Sequence, residues 1–159
     1  EIMIENAYEK YNKIKSNDIV VDLGANIGIF SIKAANRVGE KGKVVAIEPE
    51  PKNIKLLKEN TKYFKNIIII PKAAGNSSGE IELTIGIHSG AHYINATEDN
   101  KSNNRKILIQ IDTIDNIFKE AGLEIIDFFK MDIEGWEFEA LKGAINSIRK
   151  IKFLVIASY

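Results

Sequence analysis

The chain has 159 residues, of which 45% are hydrophobic, and its 22 basic residues balance 22 acidic ones. This length predicts a single domain over residues 1–159 with a core of its own, and the balanced charge gives no overall field that would attract nucleic acid or an anionic membrane. The absence of cysteine excludes disulfides and cysteine-ligated zinc and fits the reducing cytoplasm, while no run approaches the ~20 apolar residues of a transmembrane helix.

The first 17 residues are predicted to form a covering helix. Ile4, Ala7, Tyr8, Tyr11 and Ile14 recur at helical spacing, so that one apolar stripe would face the edge or mouth of a sheet. Both tyrosines are within reach of a ligand in that position, although aromatic residues on such a stripe more often belong to the core. The chain begins with Glu rather than Met and shows no secretory signal, which suggests a trimmed N-terminus.

A buried strand followed by a glycine turn and a helix is predicted over residues 19–38. Residues 19–28 read Ile-Val-Val-Asp-Leu-Gly-Ala-Asn-Ile-Gly. Gly24 and Gly28 bracket the turn, where the missing Cβ allows unusual dihedrals and the close approach of a ligand. A strand, a glycine turn and a helix N-terminus together are typical of a nucleotide pocket.

The turn departs from the dinucleotide fingerprint Gly-x-Gly-x-x-Gly. Asn26 replaces the middle glycine, which normally lets the backbone approach a pyrophosphate, and Asp22 adds a negative charge. Both features favour a positively charged ligand, such as the sulfonium and ammonium of S-adenosylmethionine. The alternative is that Asp22 only shapes the turn and that the glycines only serve backbone geometry.

The second strand, residues 43–47, ends at Glu48. This acid lies 24 positions after Gly24, near the ~20-residue offset at which an acid meets a ribose in such folds. Glu48 is therefore a candidate ribose ligand, with a solvated strand-end acid as the alternative. Pro51 is expected to begin the next helix, which would run to about Tyr63.

A third strand, residues 67–70, reads as fully buried, and residues 71–76 are predicted to form a loop after it. Ligands of doubly wound sheets lie beyond the carboxyl ends of the strands. Ala73 and Ala74 are therefore candidates to flank an adenine.

An inserted pair of strands is predicted where the alternation of strands and helices breaks. Residues 79–87 and 106–111 each alternate apolar and polar positions. Residues 88–105 between them read as a long polar loop, and loops of this length are usually functional or disordered. His88 and His92 on this loop are candidate general bases, or simply solvated side chains, and their spacing gives no metal signal.

Two further helices are expected. Asp112 or Thr113 would cap a helix that ends at Ala121. A longer helix, residues 137–149, would point Phe138, Leu141, Ala144, Ile145 and Ile148 inward, before a last strand at residues 153–156.

The second candidate site follows the apolar strand that ends at Met131. Asp132 and Glu134 would lie at the carboxyl edge of the sheet, beside the strand that carries Asp22. Carboxylates there can orient an acceptor hydroxyl, act as a general base or hold a divalent cation. A metal site would need more oxygen ligands than the sequence identifies.

Three stretches resemble class I S-adenosylmethionine-dependent methyltransferases of the FkbM type. They are Val-Val-Asp-Leu-Gly-Ala-Asn-Ile-Gly at 20–28, Ala-Ile-Glu-Pro at 46–49, and Lys-Met-Asp-Ile-Glu-Gly-Trp-Glu at 130–137 with Leu-Lys-Gly at 141–143. The resemblance covers the chain from Ile19 to its end, and the third stretch is the most specific.

The resemblance implies an α/β fold: a Rossmann-like, doubly wound, mostly parallel sheet with helices on both faces. The glycine turn around Gly24 would hold the methionine end of the donor, Glu48 its ribose, and Asp132 and Glu134 would face the methyl group. Family members mostly O-methylate sugars and natural-product hydroxyls. The family fold normally ends in an antiparallel hairpin, which this sequence is expected to lack.

We therefore predict in-line transfer of a methyl group from S-adenosylmethionine to a hydroxyl of a small acceptor, either a glycan or another hydroxylated metabolite. Asp132 or Glu134 would act as the base, with His88 or His92 as the fallback. Two alternatives remain: an NAD-dependent oxidoreductase, which the lost middle glycine disfavours, and a non-catalytic module that binds an adenosyl ligand.

Overall fold

The computed structural model describes residues 8–85, 92–94 and 105–157. Within these residues the chain forms nine strands and four α-helices. The strands are β1 (Ile19–Leu23), β2 (Lys43–Ile47), β3 (Ile67–Ile70), β4 (Ala73–Gly75), β5 (Gly79–Ile85), β6 (His92–Ile94), β7 (Arg105–Thr113), β8 (Phe128–Met131) and β9 (Leu154–Ile156). The helices are α1 (Ile29–Val38), α2 (Pro51–Thr61), α3 (Ile114–Glu120) and α4 (Glu137–Lys142), and a short 3₁₀ turn spans Ile148–Lys150.

Five strands form a parallel sheet in the order β3-β2-β1-β8-β9. β1 lies at the centre, between β2 and β8, so that the glycine turn and the residues after β8 meet at one edge. The order 3-2-1 reverses between β1 and β8, which is the switch point where ligands bind in open α/β sheets. The Rossmann-like fold predicted from the sequence is thereby confirmed.

Helices cover both faces of this sheet because its central strands are buried on each side. On one face α1 packs against the sheet through the core residues Val20, Ala34, Ala35, Val38, Val44 and Phe128. On the other face the core includes α3 and α4 and contains Val21, Leu23, Val45, Ile47, Ile114, Ile117, Phe118, Phe129, Met131 and Ala140. Successive side chains of a strand point to opposite faces of the sheet, so that Val20 and Val21 belong to different cores.

A second sheet has the order β4-β7-β5-β6. The predicted strand pair is present as β5 and β7, which are antiparallel over Gly79–Ile85. Two predictions about its neighbours were wrong. Ala73 and Ala74 form β4, parallel to β7, rather than a loop, and residues 92–94 of the predicted polar loop form β6, which pairs with β5. The rest of 88–104 lies outside the described residues.

The predicted helix over residues 137–149 is wrong beyond Lys142. A Cβ at Gly143 would lie 2.0 Å from the carbonyl oxygen of Gly75, so the chain here packs tightly against β4. Asp115 then accepts hydrogen bonds from the backbone N–H groups of Asn146 and Ser147, at 3.1 and 2.7 Å. Three of the residues expected inside are exposed: Ile145 and Ile148, which lie beyond the end of the helix, and Phe138, which lies within it.

The predicted covering helix is not present in the part of it that the structure describes. Residues 8–15 form turns and irregular chain, and the earlier part of the predicted helix lies outside the described residues. The Glu9 carboxylate accepts from the N–H of Ile14 and pairs with Lys33 of α1, so that side-chain contacts replace a helical stripe. Ile14 is buried as expected, but Tyr11 is 82% exposed.

β3 was predicted to be fully buried, and this was wrong. It lies at the edge of the five-stranded sheet, which leaves Ile68 40% exposed. The helices in the described ranges are all too short or too polar to cross a membrane.

Candidate functional site

The turn between β1 and α1 is held in the left-handed region of backbone space. The φ angles of Gly24, Asn26 and Gly28 are +80°, +51° and +92°, which only glycine, and to a lesser extent asparagine, adopts at low cost. The space beside Gly24 is filled by protein, because a Cβ there would lie 1.9 Å from the carbonyl oxygen of Asp132. Gly24 therefore lets the chain after β8 approach the turn closely.

Glu48 ties the end of β2 to this turn. One carboxylate oxygen accepts from the backbone N–H of Asn26 at 2.9 Å, and the other accepts from the N–H of Glu50 at 3.0 Å and the amide of Asn53 at 3.3 Å. Glu48 is only 5% exposed, and this burial raises the pKa of its carboxyl above the ordinary value of 4.5 despite those donors. Glu48 is thus a buried, largely satisfied carboxylate rather than a solvated one.

Asp22 is fully buried and makes an ion pair with Lys130 of the neighbouring strand. The Lys130 ammonium donates over 2.9 Å to Asp22 and over 2.9 Å to the carbonyl oxygen of Gly24. The second oxygen of Asp22 accepts from the hydroxyl of Ser31 on α1 at 2.6 Å. The charge of Asp22, which we expected to face a positively charged ligand, is therefore balanced by Lys130 inside the protein.

Lys130 and Ser31 were not identified from the sequence as site residues. A signal for Lys130 was available, because a charged residue interrupts the apolar strand Phe-Phe-Lys-Met in a sheet covered on both faces. Lys130 is 4% exposed, and a lysine is almost never fully buried unless it is paired. No comparable sequence signal distinguishes Ser31.

Asp132 extends β8 at the carboxyl edge of the sheet, where its N–H donates to the carbonyl of Leu23 at 3.1 Å. One carboxylate oxygen, Oδ2, accepts a hydrogen bond from the hydroxyl of Tyr8. The other, Oδ1, is buried and has no hydrogen-bond donor among the residues that the structure describes. A buried carboxylate oxygen without a donor is costly, which makes Oδ1 the natural place for a ligand to donate a hydrogen bond.

Glu134 occupies a strained position two residues further on, with φ +53°. The loop around it is held by Glu137, whose carboxylate accepts from the N–H groups of Ile133 and Gly135 at 3.1 and 3.3 Å. Non-glycine residues in this region cost about 1–3 kcal/mol and occur often at functional sites.

The surroundings of the other predicted site residues differ from those of the acids. Ala73 and Ala74 are buried at 4% and 2% exposure within two cores. His92 is paired with Ile85 in β6 of the second sheet, and His88 lies outside the described residues. The structure therefore brings together the turn, Glu48, Asp22 and Asp132 at one edge of the sheet.

The N-terminus of α1 lies at the same edge of the sheet. Its first residue follows Gly28, which provides no side-chain cap, and the first turn contains no acid. Its N–H groups thus have no capping side chain, and such groups favour a ligand carboxylate. In the described parts of the chain, no cluster of three or more histidine, aspartate or glutamate side chains is arranged to hold a metal ion.

The family model for the methyltransferase FkbM domain matches residues 22–158. The chain is 27% identical to methyltransferase sdnD of Sordaria araneosa, a match covering 90% of this chain and 66% of the relative. It is 25% identical to hexuronic acid methyltransferase AglP of Haloferax volcanii, with 89% and 56% covered.

Two solved structures resemble the chain. A methyltransferase FkbM from Methylobacillus flagellatus KT superposes with a TM-score of 0.65 at 26% identity and covers 98% of this chain. A precorrin-6y C5,15-methyltransferase from Geobacter metallireducens, at 14% identity and a TM-score of 0.55, supports the fold alone. The chain spans 66% and 56% of the two curated relatives and 37% of the Methylobacillus chain.

Proposed function

The chain belongs to the FkbM methyltransferase family, and on this premise we propose that it transfers a methyl group from S-adenosylmethionine to a hydroxyl of a small-molecule acceptor. The acceptor class that we propose is a sugar or a related hydroxylated metabolite. A hexuronic acid methyltransferase among the relatives supports a sugar acceptor.

The donor would be held by the groups that meet at the turn after β1. Glu48 is the group for the ribose: of the about four acceptor positions of its carboxylate, three are used by Asn26, Glu50 and Asn53, and the remaining one is available to a ribose hydroxyl. The uncapped N-terminus of α1 suits the carboxylate of the methionine end. These features of the protein fit an adenosyl amino acid, which carries both ribose hydroxyls and an amino acid carboxylate.

We propose that Asp22 acts through the protein rather than on the donor. Its carboxylate is balanced by Lys130, and the same ammonium holds the carbonyl of Gly24. Asp22 and Lys130 would thus fix the shape of the turn that receives the donor. This revises the direct electrostatic role that the sequence suggested for Asp22.

The observation that carries the proposed chemistry is that Oδ1 of Asp132 is buried and accepts no hydrogen bond from the described residues. S-adenosylmethionine supplies an electrophilic methyl group on a sulfonium. Asp132 would accept the hydroxyl proton of the acceptor while the C–O bond forms and the C–S bond breaks, which leaves a methyl ether, a thioether and a protonated carboxyl. Glu134, two residues away, is the second candidate for this base.

Calorimetry and turnover test the proposal together. S-adenosylhomocysteine should bind the full chain, and Glu48→Ala should weaken that binding by about 1–3 kcal/mol, the value of a hydrogen bond to a charged group. Asp132→Asn should retain the binding and slow methyl transfer to glucose, galactose or glucuronic acid by about 10²–10⁴-fold, the usual contribution of a general base, assayed as S-adenosylhomocysteine formed. No heat with either adenosyl ligand, from protein shown to be folded by circular dichroism, would contradict the proposal.

The same assays separate the alternatives. An oxidoreductase would bind NADH, which a fluorescence titration detects, whereas a non-catalytic module would bind S-adenosylhomocysteine and transfer no methyl group. Methylation of a carboxylate needs no base, because its oxygen is already deprotonated at neutral pH. If Asp132→Asn still methylates glucuronic acid but no longer methylates glucose or galactose, the acceptor carboxylate, and not a hydroxyl, is the nucleophile.

A further inference from the structure

The segment before β1 places Tyr8 against the proposed site. The Tyr8 hydroxyl donates to Oδ2 of Asp132, 124 residues away along the chain. Its ring packs edge-on against Phe30 of α1, with centroids 5.7 Å apart, and the Lys130 ammonium lies 5.5 Å from the ring centroid. Tyr8 therefore contacts Asp132, α1 and β8 at once.

This contact is a feature of the chain outside the family match, which begins at residue 22. The contact also makes the two oxygens of Asp132 different. Oδ2 accepts a hydrogen bond from Tyr8, whereas Oδ1 is buried and has no donor in the described part of the chain. A carboxylate fixed through one oxygen presents the other in a defined direction. Direction matters here, because a misplacement of ~1 Å at a reacting group costs on the order of 100-fold in rate.

We propose that Tyr8 is a positioning residue for methyl transfer. Its hydroxyl fixes the Asp132 carboxylate so that Oδ1 faces the hydrogen of the acceptor hydroxyl. The inference rests on the proposed function, because it gives Tyr8 a role only if Asp132 receives that proton. Tyr8 lies before the three stretches that resemble the family, so that this role would extend the site beyond those motifs.

The structure offers a conservative substitution and a matched control. Tyr8→Phe removes the hydroxyl and keeps the ring that contacts Phe30 and Lys130, so that the fold of the segment should be retained. Tyr11 lies three residues later in the same segment and is 82% exposed. Tyr11→Phe therefore removes the same atom from a side chain that lies largely in solvent.

The experiment compares steady-state kinetics of the full chain and its variants, with S-adenosylmethionine and whichever of glucose, galactose or glucuronic acid the unchanged chain methylates. Tyr8→Phe should lower kcat at least tenfold while the Kd of S-adenosylhomocysteine stays within twofold, and Tyr11→Phe should change neither. Added to Asp132→Asn, Tyr8→Phe should lower kcat no further, because its effect runs through that carboxylate. If Tyr8 had a purely structural role, Tyr8→Phe would lower kcat by the same factor in the unchanged chain and in Asp132→Asn.

Two results would overturn the inference while leaving the proposed function intact: Tyr8→Phe with a kcat within twofold of the unchanged chain, or an equal loss in the Asp132→Asn background. A third result has a different meaning. An unchanged chain that binds S-adenosylhomocysteine but methylates none of these sugars would count against the proposed function itself, and the role of Tyr8 would fall with it.

Discussion

Lys130 on β8 and Asp22 on β1 are paired in register across the centre of the parallel sheet and are joined by a 2.9 Å hydrogen bond in the buried interior. The ammonium is further surrounded by the carbonyl of Gly24 and by the rings of Tyr8 and Phe30. Isolated buried charges are expensive, and only partners of this quality make the pair tolerable. The pair therefore fixes the relation between the glycine turn and the strand that leads to Asp132.

Removing one member of this pair should be far worse than removing both. Lys130→Met leaves the Asp22 carboxylate buried without its counter-charge and should lower the free energy of unfolding by about 3–5 kcal/mol. Asp22→Asn combined with Lys130→Met leaves neither position charged and should recover a large part of that loss. Urea denaturation of the variants measures the coupling, and additive losses would mean that the two side chains act independently.

Gly24→Ala should be more damaging than the same substitution at a glycine with a similar positive φ and open surroundings. Gly122, which follows α3, has φ +64° and no described atom within 4 Å of where a Cβ would lie, whereas a Cβ at Gly24 would lie 1.9 Å from the Asp132 carbonyl oxygen. Gly122→Ala should cost about 1–2 kcal/mol from the positive φ alone. Gly24→Ala should exceed that by about 1–3 kcal/mol of overpacking, measured by denaturant unfolding. Equal losses would show that the close approach to Asp132 is not required.

Binding of the donor should weaken in acid through Glu48. Because burial raises the pKa of this carboxyl above 4.5, its ionised, hydroxyl-accepting form begins to disappear at a higher pH than for an ordinary glutamate. The Kd of S-adenosylhomocysteine from calorimetry should therefore rise as the pH falls from 7 toward 4.5. Glu48→Gln should bind weakly with a flatter pH profile, and an unchanged profile in that variant would assign the titration to another group.

Asp112 should make the stability of the fold depend on pH, and its pKa is shifted in the opposite direction from that of Glu48. Burial works against its charge, but hydrogen bonds from Ser78, Asn116, Lys72 and Thr113 lower its pKa from 3.8 to about 2. A carboxyl whose pKa is lowered on folding stabilises the protein above the unfolded value, and that stability is lost as the pH falls from about 4 to about 2.

Asp112→Asn should therefore lower the free energy of unfolding by about 1–2 kcal/mol at pH 7 and by much less near pH 2. Glu124→Gln is the control, since this side chain is 88% exposed and surface pairs contribute ~0–1 kcal/mol. Thermal unfolding across this pH range measures both variants. A loss at Asp112 that did not depend on pH would assign its role to hydrogen bonding alone.

The parts of the fold that the sequence predicted well are those with local signals. β1, the turn and α1 follow from an apolar run, two glycines and a helical pattern, and the structure has all three. The prediction that Asp132 lies beside the strand of Asp22 also succeeded, because β1 and β8 are neighbours, as the resemblance to a doubly wound fold implied.

The failures have tertiary causes. The residues from 137 to 149 carry a helical pattern, yet the close packing of Gly143 on β4 and the hydrogen bonds to Asp115 end the helix early. The roles of Lys130 and Tyr8 depend on partners 108 and 124 residues away, which no local pattern encodes. The ion pair of Asp22 escaped prediction for the same reason, since its counter-charge comes from another strand.

A crystal structure of the full chain with S-adenosylhomocysteine tests the central claim most directly. We expect the ribose hydroxyls within hydrogen-bond distance of the Glu48 carboxylate, the amino acid end at the turn after β1, and the sulfur on the side of Asp132. The account would be contradicted if the ligand bound elsewhere, or if Glu48 kept only its contacts with Asn26, Glu50 and Asn53 while the ribose lay beyond its reach.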